Sequence, residues 1–514
     1  MLSVFDQGPA EPCPDDFNMA QYVLARAGLL ADKTMLSVVG AQHSRHYSFG
    51  EIETAVRGVA TGLLQQGLRP GDKILMRLGN SVEFPILFLA AITADLIPVP
   101  TSSQLTRPEV SRICRELHPS LIVAGENISI PSHPPCPIIS CDTLETFHNL
   151  PPAFYKTGDP NRLAYIIYTS GTSGKPRAVC HAHRAIWARR MMLTGWYGMT
   201  AHDKILHAGA FNWTYTLGTG LMDPLSIGAT ALIPAPEITA ADLGALLAEH
   251  HANIFAAAPG VYRQMLKHPL PALPALRHGL SAGEKLPERI RHAWRDATGC
   301  EIYEAFGMSE CSTFISAHPR HQAPDGALGY PQPGRRVAIV DHDGQPLPRS
   351  QPGILAIART DPGLMLGYLN APEETAARIR GDWFLTGDMC SMGPDDAIRY
   401  LGRDDDMMNA GGFRVSPLEI ETSLAHHPGI QEIACTEIEV KADTTVIAAF
   451  YTGPDELDQA ALFDYARLRL ARYKIPRIFK RVDQLPKGAN GKLQRRQLRV
   501  LYGPQFMEHS DDQT

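Results

Sequence analysis

The ten residues Tyr168–Arg177 constrain the fold of this chain more than any other stretch. They read Tyr-Thr-Ser-Gly-Thr-Ser-Gly-Lys-Pro-Arg and follow the apolar run Ala164–Tyr168, which predicts a buried strand. Two glycines let the backbone bend so that amide groups converge, four hydroxyl side chains add donors, and Lys175 and Arg177 add positive charge. A loop of this composition after a strand suits a polyphosphate.

This loop has two alternative interpretations. Its composition also fits a flexible surface loop. A Walker A loop needs four residues between its glycines and a serine or threonine after the lysine. Here only Thr172 and Ser173 separate Gly171 from Gly174, and Pro176 follows Lys175. The spacing therefore disfavours the fold of P-loop kinases and ATPases.

Strand-like and helix-like stretches alternate along most of the chain, which predicts α/β layers with largely parallel sheets. At 514 residues the chain is long enough for two to four domains. Predicted strands are Lys73–Met76, Leu121–Ala124, Ala164–Tyr168 and Ala229–Ile233, and predicted helices include Pro108–Leu117 and Ala240–His250.

The character of the sequence changes twice in its last third. Val337–Val340 and Gly353–Ile357 predict short strands with a tight Asp343-Gly344 turn, and hence a small β-rich region. The polar segment Gly402–Asp406 predicts a linker. Beyond it, helices at 417–426 and 459–472 and a strand at 446–451 predict a small α+β domain. We therefore place a large N-terminal domain of layered α/β subdomains at 1–403 and a small C-terminal domain at 404–514.

Bulk properties exclude several classes of protein. A net charge of −6 and a pI of about 6.4 argue against binding nucleic acid by phosphate neutralisation. The start of the chain lacks a basic region followed by an apolar run, and the apolar stretch Phe84–Leu96 is too short to span a bilayer. Nine scattered cysteines without a Cys-x-x-Cys pair indicate reduced thiols, so we expect a cytoplasmic protein.

Four further motifs follow the loop in order: Ser281–Lys285, Phe306–Glu310, Leu385–Asp388, and a long stretch from Gly402 through Gly411-Gly412-Phe413-Arg414 to Glu421. A fifth, Leu485–Arg496, contains Lys492. In this order they resemble the adenylate-forming superfamily of acyl-CoA synthetases, adenylation domains and luciferases, over nearly the whole chain. The loop departs from the signature of that family at Ser173, Arg177 and Ala178. Arg177 keeps the charge of the usual lysine but presents a fork, which leaves its role open.

The resemblance implies an ATP site. Its residues would be Thr169, Ser170, Gly171, Thr172, Ser173, Gly174, Lys175, Gly283, Glu284, Lys285, Ala305, Phe306, Gly307, Met308, Ser309, Asp388 and Arg403. Glu310 would hold Mg²⁺ on the phosphates, and the Asp388 carboxylate would accept the ribose hydroxyls. Arg403 would contact ribose or phosphate.

The resemblance also implies a mobile C-terminal domain that turns about Asp405. Lys492 would reach the α-phosphate and the acid in the first half-reaction. Gly411, Gly412, Phe413 and Arg414 would then border coenzyme A, since paired glycines allow close approach to its pantetheine arm. Asn409 stands where many relatives have lysine and is assigned no role. The catalytic set implied is Lys492, Glu310 and Arg403.

The resemblance also implies that the acid lies near Trp213, Tyr215, Ala258 and Ala305. Apolar walls with aromatic side chains suit an aryl or medium-chain acid, and no basic residue is evident for a second carboxylate. His181 and His183 are interpreted as structural.

The resemblance therefore implies an ATP-dependent, Mg²⁺-dependent carboxylic acid–CoA ligase that works through an acyl-adenylate. One alternative is an enzyme that loads a carrier protein, although no carrier domain follows Leu498. A second is a non-catalytic nucleotide-binding regulator, against which Lys492, Glu310, Asp388 and Arg403 all count. The oligomeric state, a homodimer included, is left open.

Overall fold

The structure is a computed structural model. It describes residues 1–169, 177–410, 413–441, 444–470, 474–488 and 493–506, and for residues 405, 409, 410, 413, 414, 441 and 444 it describes the backbone alone.

Helices and strands alternate as the sequence predicts. The helices are α1 (Met19–Val23), α2 (Phe49–Gln65), α3 (Glu83–Thr93), α4 (Arg107–Leu117), α5 (Cys141–Glu145), α6 (Arg184–Ala188), α7 (Arg190–Met192), α8 (Asp223–Ile227), α9 (Leu243–Glu249), α10 (Pro259–Met265), α11 (Glu288–Thr298), α12 (Pro372–Ala376), α13 (Pro417–Leu424), α14 (Gln459–Arg467) and α15 (Arg495–Tyr502). Wider π-helical turns span Leu193–Tyr197 and Thr216–Met222, and 3₁₀ turns span Asp404–Asp406 and Gly503–Gln505.

The strands of the first half are β1 (Val4–Phe5), β2 (Thr34–Val39), β3 (Ser44–Ser48), β4 (Lys73–Arg77), β5 (Ile97–Pro100), β6 (Leu121–Ala124), β7 (Ile138–Ser140), β8 (Leu163–Thr169), β9 (Arg177–Ala182), β10 (Lys204–His207), β11 (Thr230–Pro234) and β12 (Ile254–Ala257). Those of the second half are β13 (His278–Ala282), β14 (Ile302–Met308), β15 (Ser312–Ser316), β16 (Tyr330–Pro331), β17 (Val337–Val340), β18 (Gly353–Ala358), β19 (Gly367–Tyr368), β20 (Ile379–Arg380), β21 (Trp383–Met392), β22 (Ile398–Arg403), β23 (Met408–Ala410), β24 (Phe413–Val415), β25 (Glu432–Lys441), β26 (Thr444–Thr452) and β27 (Ile478–Arg481).

Contacts between Cα atoms divide the chain into two compact units. The larger comprises Phe5–Val337 and Ile357–Phe384, and the smaller comprises Met1–Val4, Ala338–Ala356 and Leu385–Thr514. The domain boundary between residues 403 and 404 stays a prediction.

The larger unit is built on a nine-stranded sheet in the order β16-β15-β14-β13-β12-β10-β11-β2-β3. Its six central strands, from β14 to β2, run parallel, and antiparallel strands close both edges. The central strands are rich in buried apolar residues because helices cover their faces. The predicted parallel α/β architecture is thus confirmed.

A second, parallel sheet of the larger unit has the order β5-β4-β6-β7. Helix α3 packs against this sheet in one apolar cluster. Its residues Phe84–Thr93 are all buried, as the apolar run in the sequence predicts. Helices α2 and α4 begin with capping boxes, Ser48 with Glu51 and Thr106 with Glu109, which satisfy backbone amides of their first turns.

The smaller unit contains most of the predicted β-rich region and the C-terminal α+β layer. In its first sheet β17, β18 and β21 lie side by side, and β22 pairs with β21. In the C-terminal layer β26 lies between β25 and β27, and α13 and α15 pack on β25. Apolar residues of α13, β26 and α14 form one core cluster there.

Several predicted element ends are wrong by a few residues. Helix α9 begins at Leu243 rather than Ala240 because Thr239 and Asp242 form a hydrogen-bonded turn ahead of it. Strand β25 was not predicted, since its alternating Glu437-Ile438-Glu439 pattern lacks a continuous apolar run.

Two further properties concern cysteines and membranes. All nine cysteines are free, which agrees with the predicted reduced thiols. Within the described residues no helix is both long enough and apolar enough to cross a bilayer.

Candidate active site

The predicted phosphate loop lies between two paired strands. Thr169 ends β8 and Arg177 begins β9, and the two residues are opposite partners in an antiparallel ladder. The strand predicted before the loop is therefore confirmed. Ser170, Gly171, Thr172, Ser173, Gly174 and Lys175 lie outside the described residues, so their role as phosphate ligands stays a prediction.

The predicted adenine-side residues lie at the carboxyl ends of neighbouring parallel strands. Gly283, Glu284 and Lys285 follow β13, while Ala305–Met308 form the end of β14 and Ser309 follows it. Ala282 is the direct partner of Ala305 in this pair of strands. Because parallel strands end at the same edge of a sheet, segments twenty residues apart meet there, at the edge where α/β proteins bind ligands.

Two glycines of these segments have conformations or contacts that other residues tolerate poorly. Gly283 has a φ of 99°, a backbone conformation in which any residue with a side chain would be strained. At Gly307 a Cβ would collide with the carbonyl of Ser312, because β14 turns back tightly into β15. The turn between these strands carries Glu310.

Glu310 is held by a residue that the sequence analysis did not identify. The hydroxyl of Tyr368, in β19, donates to Glu310 Oε1 at 2.6 Å, and the Glu310 carbonyl accepts the amide of Met365 at 2.7 Å. Burial, followed by the Glu310 charge, raises the pKa of Tyr368, so the phenol keeps its proton. Glu310 is half-buried.

Arg177 lies on the other side of Tyr368. Its guanidinium carbon is 5.1 Å from the centre of the Tyr368 ring, and its Nε lies 2.9 Å from Glu374 Oε2. The described residues thus form a chain of contacts from Glu374 through Arg177 and Tyr368 to Glu310. This chain links the end of the phosphate loop to the predicted metal ligand.

The surroundings of Glu310 fit a magnesium ion that a nucleotide brings with it. Mg²⁺ is typically held by one or two carboxylates together with substrate phosphates and water. Within the described residues no group of three or more His, Cys, Asp or Glu side chains could hold a metal by itself. A single carboxylate at the edge beside the phosphate loop agrees with such shared coordination.

Asp388 and Arg403 are brought together in the smaller unit. They are opposite partners on β21 and β22, and Arg403 Nη1 lies 3.2 Å from Asp388 Oδ2. The hydroxyl of Tyr400, which was not predicted, donates to Asp388 Oδ1 at 3.1 Å. Asp388 is only 5% exposed, so these partners fix its orientation. Binding of ribose by Asp388 stays a prediction.

The predicted hinge and coenzyme A segments are described in part. Asp405 lies in the 3₁₀ turn Asp404–Asp406, and Phe413 and Arg414 lie in β24. Gly411, Gly412 and Lys492 lie outside the described residues. The ends of the lysine loop are described, since Lys487 and Leu493 form an antiparallel bridge.

Two of the four predicted acid-side residues share one apolar cluster. Tyr215 and Ala305 belong to it, together with Trp196 and Ala256. The Tyr215 ring lies 5.8 Å from Trp196, and its hydroxyl donates to the carbonyl of Leu280 at 3.0 Å. Trp213 and Ala258 are half-buried and lie outside that cluster, Ala258 directly after β12.

A buried ion pair next to this segment was also not predicted. Arg189 Nε donates to both carboxylate oxygens of Asp223, at 2.8 and 2.9 Å, and Tyr197 donates to the same carboxylate at 2.6 Å. Although burial opposes the charge, Asp223 raises the pKa of Arg189. The sequence holds no local signal for this pair, which is 34 residues apart.

Comparison with known proteins decides the family. Residues 25–369 match the AMP-binding enzyme family, and residues 419–492 match the AMP-binding enzyme C-terminal domain. The chain belongs to the AMP-binding enzymes. The predicted membership in the acyl- and aryl-CoA ligase branch of the adenylate-forming superfamily is confirmed, as are ATP and coenzyme A as its co-substrates.

Relatives of this AMP-binding enzyme span nearly its whole length. It is 29% identical to a benzoate–CoA ligase of Thauera aromatica, covering 97% of this chain and 99% of the relative. It is also 29% identical to a 3-hydroxybenzoate–CoA ligase of Aromatoleum sp. (strain CIB), covering 92% and 94%.

Solved structures agree with the predicted fold. A benzoate CoA ligase from Burkholderia xenovorans LB400 superimposes with a TM-score of 0.82 at 28% identity, covering 94% of this chain and all of that one. The anthranilate CoA ligase AuaEII, in complex with anthranoyl-AMP, gives 0.84 at 25% identity, covering 95% and 98%. The α/β fold with a large N-terminal and a small C-terminal domain is confirmed.

Proposed function

We propose that this AMP-binding enzyme joins an aryl or medium-chain carboxylic acid to coenzyme A through an acyl-adenylate. The observation that carries the proposal is the placement of Glu310. Its carboxylate lies just past the carboxyl end of β14, linked through Tyr368 to Arg177 at the end of the predicted phosphate loop. A metal-binding carboxylate is needed there if a nucleotide triphosphate occupies the loop.

In the first half-reaction a carboxylate oxygen of the acid attacks the α-phosphorus of ATP, and pyrophosphate leaves. Both reactants are anions, so the charge developing between them must be neutralised. Lys492 would supply a cation, and Glu310 would hold Mg²⁺, which neutralises phosphate charge when bound. Asp388, oriented by Arg403 and Tyr400, would fix the ribose and so position the α-phosphate.

In the second half-reaction the sulfur of coenzyme A attacks the acyl carbon, AMP leaves, and the thiol proton passes to solvent or to the departing phosphate. Gly411, Gly412, Phe413 and Arg414 would border the pantetheine arm. Asp405, in the 3₁₀ turn after β22, would be the point about which the C-terminal domain turns between the two steps.

An aryl acid is favoured over an alkyl acid. Tyr215, Trp196 and Ala305 belong to one buried apolar cluster in which two aromatic rings stack, and Trp213 precedes Tyr215 by two residues in the chain. Two relatives that share nearly the full length of this chain are named for benzoate and 3-hydroxybenzoate. The stacked aromatic rings and these relatives point to the same substrate class.

Acid-dependent exchange of radioactive pyrophosphate into ATP tests the first half-reaction. We expect exchange with members of a panel of aryl and medium-chain acids and none without an acid. Adding coenzyme A to the best acid should yield its thioester, whereas a panel of phosphopantetheinyl carrier proteins should stay unloaded. Absence of exchange with every acid would contradict the enzyme and favour a nucleotide-binding regulator. If a carrier protein were loaded in preference to coenzyme A, the proposed acceptor would be wrong but the adenylation step would stand.

A cytoplasmic location is part of the proposal, supported by the nine free thiols. A homodimer is the simplest assembly to test, by light scattering of the purified enzyme.

A further inference from the structure

A small cavity lies beside the segment expected to border the acid. It is lined by Tyr165 and His181 of the β8–β9 hairpin, by Arg189, by Thr214 and by Ser312. Its volume is about 20 Å³, which is room for about one water molecule. We call it the His181 cavity.

His181 gives this cavity its chemical character. The side chain is 2% exposed, and its ring nitrogens make no well-aligned hydrogen bond within the described residues, although the Ser309 backbone lies close enough to act on the ring as an acceptor. Burial lowers the pKa of His181 to about 4, so the ring is neutral at physiological pH and offers one N–H donor and one nitrogen acceptor. Buried polar atoms are normally paired, and the Ser309 backbone can serve only one ring nitrogen, so the other points to a partner that is bound rather than built in.

The position of the imidazole is fixed by its neighbours. Its ring stacks on that of Tyr165 with centroids 4.8 Å apart and planes inclined by 16°. Both residues belong to the antiparallel β8–β9 ladder, in which they are direct partners next to a register shift between Leu163 and Tyr165. A side chain held in this way can orient a ligand without first being ordered by it.

Arg189 contributes no net charge to the cavity. Its guanidinium donates to Asp223, Tyr197 and Thr219, and also to the hydroxyl of Ser312. A Cβ at Gly218 would collide with the guanidinium, so the backbone itself keeps Arg189 in place. Since Asp223 balances the charge, the cavity does not favour a second carboxylate or an ammonium group.

The cavity adjoins the residues predicted to hold the acid. Thr214 stands between Trp213 and Tyr215 in the chain, and Ser312 follows Glu310 by two residues. A substituent on an acid bound along Trp213 and Tyr215 is therefore a candidate to fill it, through Thr214, which both lines the cavity and separates these two residues in the chain.

We infer that the acid carries a neutral hydroxyl group, and that this hydroxyl enters the His181 cavity and pairs with the imidazole of His181. This inference rests on the proposed ligase function. A hydroxyl both donates and accepts, so it satisfies either nitrogen of a neutral histidine, and it is about the size of the water that the cavity can hold. His181, interpreted as structural from the sequence, thereby becomes a residue that determines substrate specificity.

The wild-type enzyme provides the first test, which needs no variant. Acyl-CoA formation is measured with benzoate, its three monohydroxy isomers and a benzene dicarboxylate, and kcat/KM is compared. We expect one hydroxy isomer to exceed benzoate by about tenfold or more, and the dicarboxylate to be the poorest. Equal kcat/KM for benzoate and all hydroxy isomers would overturn the inference and leave the cavity with a structural water only, while the ligase would stand. No turnover of any acid would instead count against the proposed function.

His181→Phe supplies the second test, because phenylalanine preserves the stack on Tyr165 but removes both nitrogens. We expect the ratio of kcat/KM for the preferred hydroxy acid to that for benzoate to fall to near one. His183→Asn is the matched control, since His183 is equally buried but bonds the Met19 amide and does not line the cavity. An unchanged ratio in His181→Phe, or the same fall in both variants, would overturn the assignment to His181.

Discussion

The hydroxyl of Tyr368 donates a 2.6 Å hydrogen bond to the carboxylate of Glu310, 58 residues away in the chain. Tyr368 is also the residue over which Arg177 lies, at the end of the phosphate loop. One phenol therefore couples the two places where a nucleotide triphosphate and its metal ion would meet. The departure of Arg177 from the lysine of the family has a structural counterpart here, since its guanidinium binds Glu374.

Replacing Tyr368 by phenylalanine should weaken the use of Mg²⁺ more than the binding of ATP. Without the phenol the Glu310 carboxylate loses an orienting hydrogen bond, and a hydrogen bond to a charged group contributes about 1.5–3 kcal/mol. We expect the Mg²⁺ concentration for half-maximal pyrophosphate exchange to rise about tenfold or more. Tyr155→Phe is a matched control, because Tyr155 also donates to a glutamate, Glu53, at 3.0 Å. Equal Mg²⁺ dependence in the two variants would show that Tyr368 does not help to position the metal ion.

Lys492→Ala should separate the two half-reactions. The cation is needed where two anions meet, so pyrophosphate exchange should fall by about 10²–10³-fold. Thioester formation from chemically prepared acyl-AMP should be spared. Lys487→Ala removes a neighbouring cation that instead pairs with Glu432 at 2.8 Å, and it should leave exchange nearly unchanged. Equal losses in both halves for Lys492→Ala would contradict the assigned role.

Asp223→Asn should destabilise the larger unit strongly. The variant leaves the Arg189 charge buried without its counter-ion, and breaking a buried pair in this way costs about 3–5 kcal/mol. Urea unfolding followed by tryptophan fluorescence would measure the loss. Asp464→Asn breaks the Arg467–Asp464 pair, whose side chains are 68% and 72% exposed, and should change stability by less than about 0.5 kcal/mol. A similar small effect at Asp223 would show that Arg189 finds another partner.

Glu304 should make stability depend on pH in a definite direction. Burial raises the pKa of Glu304 to about 7, although Arg291 and the Leu286 amide oppose this. Its pKa is raised on folding, so between about pH 4.5 and 7 the unfolded chain loses a proton that the folded chain keeps. Glu304 should therefore contribute a fall in unfolding free energy as the pH rises through this window.

Comparison with Glu304→Gln isolates this contribution, because both proteins share the buried histidines that act in the opposite sense. We expect the urea midpoint of Glu304→Gln to rise relative to that of the wild type between about pH 4.5 and 7. Above pH 7 the difference should level off. Glu301→Gln, at a more exposed glutamate three residues earlier, serves as the control. A difference that does not vary with pH would mean that Glu304 ionises normally.

Local patterns in the sequence sufficed for much of the fold. Apolar runs predicted β4, β6, β8 and β17 nearly to the residue, because such strands are buried on both faces. The resemblance assigned Gly283 and Ala305 to one nucleotide site, and the structure brings the two segments together through the Ala282–Ala305 pair at the ends of β13 and β14. Strand β25 was missed because its alternation of charged and apolar residues spans only part of its length.

Contacts between distant residues could not be predicted. The Tyr368–Glu310 bond and the Arg189–Asp223 pair join residues 58 and 34 positions apart, and neither member has a distinctive neighbourhood in the sequence. His181 was interpreted as structural, like His183, because adenylate formation needs no histidine nucleophile. Only the three-dimensional structure reveals that its ring lacks a well-aligned hydrogen bond and faces a cavity.

The crowding of Gly218 against Arg189 also restricts how this region can change during evolution. A larger residue at 218 collides with the guanidinium, whereas loss of Arg189 alone leaves the Asp223 charge buried and uncompensated. Each substitution is harmful until another has been made, so the effects of changes at 189, 218 and 223 depend on their order. A lineage that changes one of these three residues is therefore expected to change the other two as well.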